Sequence, residues 1–328
     1  MGSTLAFNSA YRTNRESVAV GLPANFFVAN PNATFARVLR NDAKSNYNAL
    51  EIELRRRFSH GLQFQADYTW SKAMGDAVDA QGNNQSDLVS RLTLRNPKAD
   101  YRRSGQDQTQ RFVANGVYEL PFGKGHTFLN SSNWVVDRLV GGFTMGAIVT
   151  WSTGVPFFIS SGRATFNCIG PLNSNGSCTP ANNGAQLVGI SFNDFKKNIG
   201  LFKTPGGIFF VNPAILDVTR DAVTGKVVTS KLKSGLMSAP APGTFGDFPV
   251  NALSGPHYFN FDFSVTKRIP ITEGEHPVRL EIKATAINIL NHPNFVYGGQ
   301  NFDSTTFGLI TTQRGNARGI NFIGQLRF

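Results

Sequence analysis

The sequence predicts an all-β fold. The expected form is an antiparallel transmembrane β-barrel, held here in part as about seven to ten strands of a larger barrel, with long extracellular loops. Three observations predict it. Extended segments of about ten residues alternate apolar and polar side chains along the whole chain, and successive side chains of a strand point to opposite faces. No run approaches the ~18 apolar residues of a membrane helix, the hydrophobic fraction being 41% and the mean hydropathy slightly negative. Phe (28 residues) and Gly (33) are abundant while charged residues make up only 16%, which suits aromatic-rich strands joined by flexible turns.

The first clear strand runs from Tyr47 to Phe58. Leu50, Ile52, Leu54 and Phe58 fall on one face, and Glu51, Glu53, Arg55 and Arg57 on the other. His60-Gly61 forms a tight turn. The next strand sets Leu62, Phe64, Ala66, Tyr68 and Trp70 outward and Gln63, Gln65, Asp67, Thr69 and Ser71 inward. The aromatic pair at its far end resembles an interfacial girdle. A polar stretch from Lys72 to about Asp107 shows no usable period and reads as a loop. Arg111 to Leu120 alternates again, with Phe112, Ala114, Tyr118 and Leu120 on the oily face. Pro121 to Gly125 is a turn by composition, and Trp134 to Leu139 reads as one helical turn. Phe143, Met145, Ala147, Val149 and Trp151 then share one side of a strand.

Thr153 to His257 is the least regular region and reads as one very large external loop with some strand extensions. Such a length is suspicious inside a compact soluble domain but ordinary outside a barrel. The rhythm resumes with Phe259, Phe261, Phe263 and Val265, and again with Val278, Leu280, Ile282, Ala284 and Ala286 opposite Arg279, Glu281, Lys283 and Thr285. Asn291 to Arg314 is a further loop. In the last strand Ile320, Phe322, Leu326 and Phe328 share a face with Gly324, opposite Asn321, Gln325 and Arg327, with Ile323 the exception. Short connections after Phe58, Leu120 and Ile269 alternate with long ones after Ser71, Trp151 and Asn291. That asymmetry puts the short turns and Phe328 on the periplasmic side. Residues 1–46 are expected as an N-terminal loop or partial-strand region, and 47–328 as the barrel section. A soluble sandwich also alternates, but its strands run five or six residues and these run about ten.

The net charge is +11, but Lys and Arg are dispersed, so a basic lumen or anionic lipid is expected to answer it and nucleic acid is not an expected partner. Cys168 and Cys178 lie close together in a Gly/Asn/Ser-rich stretch, expected as a local disulfide in an oxidising compartment, with two free thiols as the alternative. The start, Met1-Gly-Ser-Thr-Leu-Ala-Phe7, carries no basic n-region followed by an apolar stretch, so either a piece of a longer protein or a lost start is expected. His60, His126, His257, His276 and His292 are scattered without metal-ligand spacing, and neither a nucleophile elbow nor a phosphate-binding loop is present. No enzyme activity, cofactor or metal is therefore expected. Glu51, Glu53, Arg55, Arg57, Asp67, Arg111, Arg279, Glu281 and Lys283 are expected as charges lining the lumen.

Several segments resemble a known family. Tyr47-Asn-Ala-Leu-Glu-Ile-Glu-Leu-Arg-Arg-Arg-Phe58, Tyr68-Thr-Trp-Ser-Lys72, Gln110-Arg-Phe-Val-Ala-Asn115 and Leu120-Pro-Phe-Gly-Lys-Gly125 resemble the C-terminal barrel of Oar-like TonB-dependent outer-membrane receptors. So do Gly21-Leu-Pro-Ala-Asn-Phe-Phe27, Thr150-Trp-Ser-Thr-Gly-Val-Pro156 and Ala286-Ile-Asn-Ile-Leu-Asn-His-Pro-Asn-Phe295. The likeness covers about residues 17–328 and is weakest over 160–257. It implies location in the outer membrane of a Gram-negative-type bacterium and energised uptake of an unknown substrate through a barrel of roughly 22 strands with a plugged lumen. Members carry a signal peptide, a regulatory-like domain and a plug that engages the TonB energy-coupling system; these segments are not recognised in this sequence. The alternative is a non-transporting outer-membrane surface or adhesion protein whose loops bind a polymer or partner. By the same resemblance, Phe328, Leu326, Phe322 and Ile320 form the terminal signal read by the barrel assembly machinery, with Gly324 departing from the pattern.

Overall fold

The computed structural model describes residues 44–76, 98, 101–131, 133–161, 184–241, 244–272 and 278–328. Cys168, Cys178, His276 and almost all of the N-terminal 1–46 region lie outside the described residues.

Seven long strands build one antiparallel wall: β1 (Ser45–Ser59), β2 (Leu62–Gly75), β3 (Gln110–Glu119), β4 (Phe143–Ser152), β5 (Tyr258–Pro270), β6 (Arg279–Ile287) and β7 (Gly319–Arg327). Each pairs with the next in sequence, and Arg102–Arg103 adds a short strand beside β2. This is an antiparallel barrel wall present in part: among the described residues β1 and β7 are open edges and the barrel does not close. The seven strands are those the alternation marks.

The register aligns the faces of neighbouring strands. Ile52 pairs with Tyr68, Tyr68 with Phe112, Phe112 with Trp151 and Trp151 with Phe259, so one apolar row crosses five strands. Val265, Ala284 and Phe322 continue the same face at the far edge. The opposite face carries Glu53, Asp67, Val113, Thr150 and Asn260 in one row. The apolar face is open: Leu54 is 60% and Phe322 77% exposed, and none of the described residues lays a second sheet over it. A soluble sandwich would bury that face. An apolar patch of this extent is stable only against lipid.

The turns follow local rules. His60 (φ 53°) and Gly61 (φ 77°) are both left-handed, the two-residue hairpin turn whose twist matches the strands. Just before it the β1–β2 register slips by one between Arg56 and Ser59, a bulge that takes Arg57 and Phe58 out of strict alternation. The connection after Leu120, expected to be short, runs instead from β3 to Phe143 and holds helix α1 (Trp134–Val140), so the predicted helical turn is present and the shortness is corrected.

The larger correction concerns Thr153–His257. Its described residues fold into an outer lobe and are no irregular loop. A three-stranded sheet joins Ile199–Thr204, Gly207–Val211 and Leu309–Ile310, beside a hairpin of Leu216–Arg220 with Val227–Leu232 and a helix, Phe192–Lys197. Phe157, Phe195, Phe209, Phe248 and Phe307 pack in its core, and apart from Phe295 every buried apolar side chain of the described residues belongs to this cluster. The membrane wall has no such core because lipid takes that part. Phe307 and Leu309 come from the connection between β6 and β7, expected as a separate loop. The Ser230 hydroxyl donates to the Phe307 carbonyl at 2.7 Å and stitches the two connections together.

Candidate functional site

Two regions could handle a ligand: the polar face of the wall and the outer lobe above it. Alternation alone puts β1 residues Glu51, Glu53 and Arg55 on the polar face, with Asp67 from β2, Arg111 from β3, and Arg279, Glu281 and Lys283 from β6. The register brings some of them together. Glu53 stands directly opposite Asp67, a like-charge pair that costs stability. The Gln65 amide relieves it by donating to both Asp67 oxygens, at 3.3 and 3.2 Å. Glu51 and Arg111 flank Thr69 on adjacent strands. Together with Tyr47, Ser71, Gln106 and Gln108 they line a recess of about 280 Å³ near the outer end of the wall.

At the inner end, Glu281 forms ion pairs with Arg268 at 3.7 Å and Arg327 at 3.5 Å, and Arg268 also reaches Glu119 at 3.7 Å. These half-exposed pairs fix side-chain positions more than they stabilise. Arg268 and Glu119 were not among the expected lumen charges, although the parity of β5 and β3 carries both inward. Arg279 faces Arg327 across the β6–β7 ladder, and Lys283 faces Ile323, the one apolar exception on the wet face of β7.

A tie between wall and lobe had no signature in the sequence. Asp107, in the stretch read as featureless loop, has a side chain only 1% exposed. It accepts from Arg103 Nε at 2.7 Å and from the Ala73 amide at 2.7 Å. Arg103 then donates to Ser254 Oγ at 2.9 Å, while its carbonyl accepts from the buried Asn251 amide at 3.0 Å. Ser254 and Asn251 belong to the lobe. All three long connections therefore converge at one end of the wall, and β2 runs on to Gly75 beneath them.

Within the lobe, Tyr297 stacks on Phe157 with ring centres 4.7 Å apart, and burial pushes its phenol above the usual range, opposed by a hydrogen bond with Gln300. Exposed Asp194 and Asp221 are held below the ordinary carboxylate range, the first chiefly by its hydrogen bond with Lys197 and the second by the Thr224 amide. His257 and His292, far apart in the sequence, come within 6.1 Å ring to ring. Two imidazoles alone do not complete a zinc or copper site, and no group of three or more His, Cys, Asp or Glu that could hold a metal occurs among the described residues.

The terminal apolar residues Ile320, Phe322 and Leu326 lie on the lipid-facing side of β7 with its outer edge unpaired, and Phe328 just beyond is 94% exposed. Among the described residues nothing covers them.

A family model described as an outer membrane beta barrel domain matches residues 3–321. No curated protein and no solved structure matches the chain.

Proposed function

The chain belongs to the outer membrane beta barrel domain family and is an outer-membrane protein, and from that premise we propose that it is the C-terminal barrel segment of a TonB-dependent receptor mediating energised uptake. The supporting observation is the convergence of three long connections into one cored lobe at the outer end of a wall whose inner face carries charges of both signs. A lobe with its own core presents a pre-organised capture surface, so little ordering entropy opposes ligand binding. The recess lined by Glu51 and Arg111 lies directly beneath, where a released ligand would meet the lumen wall. The segment resemblance supplies the remaining parts: a plug within the lumen and a contact from it to the TonB system. In this reading the chain's partners are outer-membrane lipid, the assembly machinery and the transported substrate.

A second reading is favoured by the same lobe. A folded exterior platform also suits a non-transporting surface protein that grips a polymer or another cell. The genomic stretch upstream of Met1 separates the two. An in-frame plug, together with capture of the TonB C-terminal domain by the full-length product, is the expected outcome. A reading frame without a plug, or a product that ignores TonB, refutes the uptake reading and leaves the platform.

A further inference from the structure

Helix α1 sits at the inner end of the wall, and its surroundings show on which side. Asn133 caps it by accepting from the Val136 amide at 2.9 Å, and the Gly141 amide returns to Asp137 O at 2.8 Å. Its C-terminal carbonyls are held by a lysine of β5: Lys267 Nζ donates to Leu139 O at 3.3 Å and to Gly141 O. Lys267 pairs with Phe143, and so lies on the face that also carries Met145, Ala147 and Val149. Its ammonium is 4.3 Å from the centre of the Phe143 ring. The helix therefore hangs outside the wall, on the lipid-facing side.

Its exposed side is apolar. Trp134 and Leu139 are each 69% exposed, and Val135 on the same side of the helix is less open, at 44%. The one acidic residue, Asp137, is turned back to accept from the Lys124 amide in the preceding turn. Arg138 lies 5.2 Å from the Trp134 ring, so its guanidinium can reach toward the inner-leaflet headgroups on the periplasmic side while the indole stays in the interface. Depth agrees. From Phe143 to Trp151 is eight steps (151 − 143), which at ~3.3 Å each gives ~27 Å along the strand, or ~20 Å of height at a tilt near 40°. That is close to the ~25 Å apolar band of such barrels, and it puts α1 at the band's lower boundary if the aromatic end of β4 marks the upper one.

We infer that α1 is an interfacial helix lying in the inner leaflet of the outer membrane, docking the foot of β4 and β5 onto phospholipid. The occupant is lipid and not a second protein because the exposed side of the helix continues the face already committed to lipid, and because a tryptophan, two aliphatics and an arginine are the composition of an interfacial segment. The inference rests on the membrane-wall reading of the fold.

The chain's three tryptophans, Trp70, Trp134 and Trp151, make the test direct. A Trp70→Phe/Trp151→Phe variant of the full chain leaves Trp134 alone, and Trp70→Phe/Trp134→Phe leaves Trp151 alone. Each is reconstituted in phosphatidylethanolamine–phosphatidylglycerol vesicles doped with lipids brominated high or low on the acyl chain. Trp134 should emit to the blue of indole in water and be quenched about twofold more by the shallow bromines than by the deep ones. If Trp151 is quenched while Trp134 is untouched, the inference about α1 is overturned and the barrel stands. If neither is quenched, both fall together.

Discussion

Replacing Arg103 by alanine removes the hinge pin between wall and lobe. The side chain of Asp107, 1% exposed with Arg103 in place, would keep the Ala73 amide and the Thr109 hydroxyl but lose its only cation among the ion pairs described. Breaking one half of a buried pair costs about 3–5 kcal/mol because the remaining charge is stranded. Arg103 retains 17% side-chain exposure, so water can partly screen the pair and about 3 kcal/mol is the better figure. Since 1.4 kcal/mol is a factor of ten, the local opening equilibrium should rise about 100-fold. Asp107→Asn keeps the shape and the Ala73 contact, and should cost about 1–2 kcal/mol. The assay is native-state hydrogen exchange on the reconstituted chain, read at the amides of Ala73 and Ser104, which bond Asp107 and the Ala73 carbonyl respectively. Protection at Val149, deep in the β3–β4 ladder, serves as the internal control. If Arg103→Ala leaves Ala73 and Ser104 exchanging within about twofold of the parent, the tie carries no energy and the argument from burial is wrong.

Three other outcomes are expected. Ala147→Arg puts a charge on the lipid-facing side of β4 and should cost about 2–4 kcal/mol of folding stability in bilayers, whereas its neighbour Ile148→Arg, on the inward face, should cost under about 1 kcal/mol; equal losses in urea titrations would refute the face assignment. Deleting Phe328 from the full-length protein should lower its outer-membrane yield severalfold, and undiminished insertion would remove the terminal residue from any part in assembly. The buried Tyr297 phenol has its folded value raised, so its contribution to the lobe is intact up to the ordinary tyrosine range near 10 and is lost as pH climbs through the folded value. Tyr297→Phe should flatten that alkaline loss, and an unchanged slope in near-ultraviolet dichroism would speak against it.

How much of this was legible depended on the length of each pattern. The wall could be read because each strand repeats its alternation four or five times, as in Leu62 to Trp70, and lipid on one side leaves a single rule to satisfy. The lobe could not. Its strands span two to six residues, and its core draws Phe157, Phe209, Phe248 and Phe307 from points scattered over two connections, so no local period survives. The Arg103–Asp107 tie was invisible for a related reason: an i,i+4 charge pair in a polar stretch is normally solvated, and only the lobe closing over it makes it buried. Arg268 and Glu119 were recoverable from strand parity alone, whereas the approach of His257 to His292 needed the loops themselves.

The meander has one more implication. Strands in it alternate up and down, so with seven of them the first and last run the same way, and β1 could meet β7 only in parallel. A second copy inserted in the same orientation would meet the identical obstacle at each seam, since both of its margins also point downward. To close the described seven strands into a fully antiparallel cylinder, the rest of the wall supplies an odd number of strands, beginning and ending with one that climbs toward the outside. Oddness, a property of counting, keeps two copies of the described wall from joining margin to margin with every seam antiparallel.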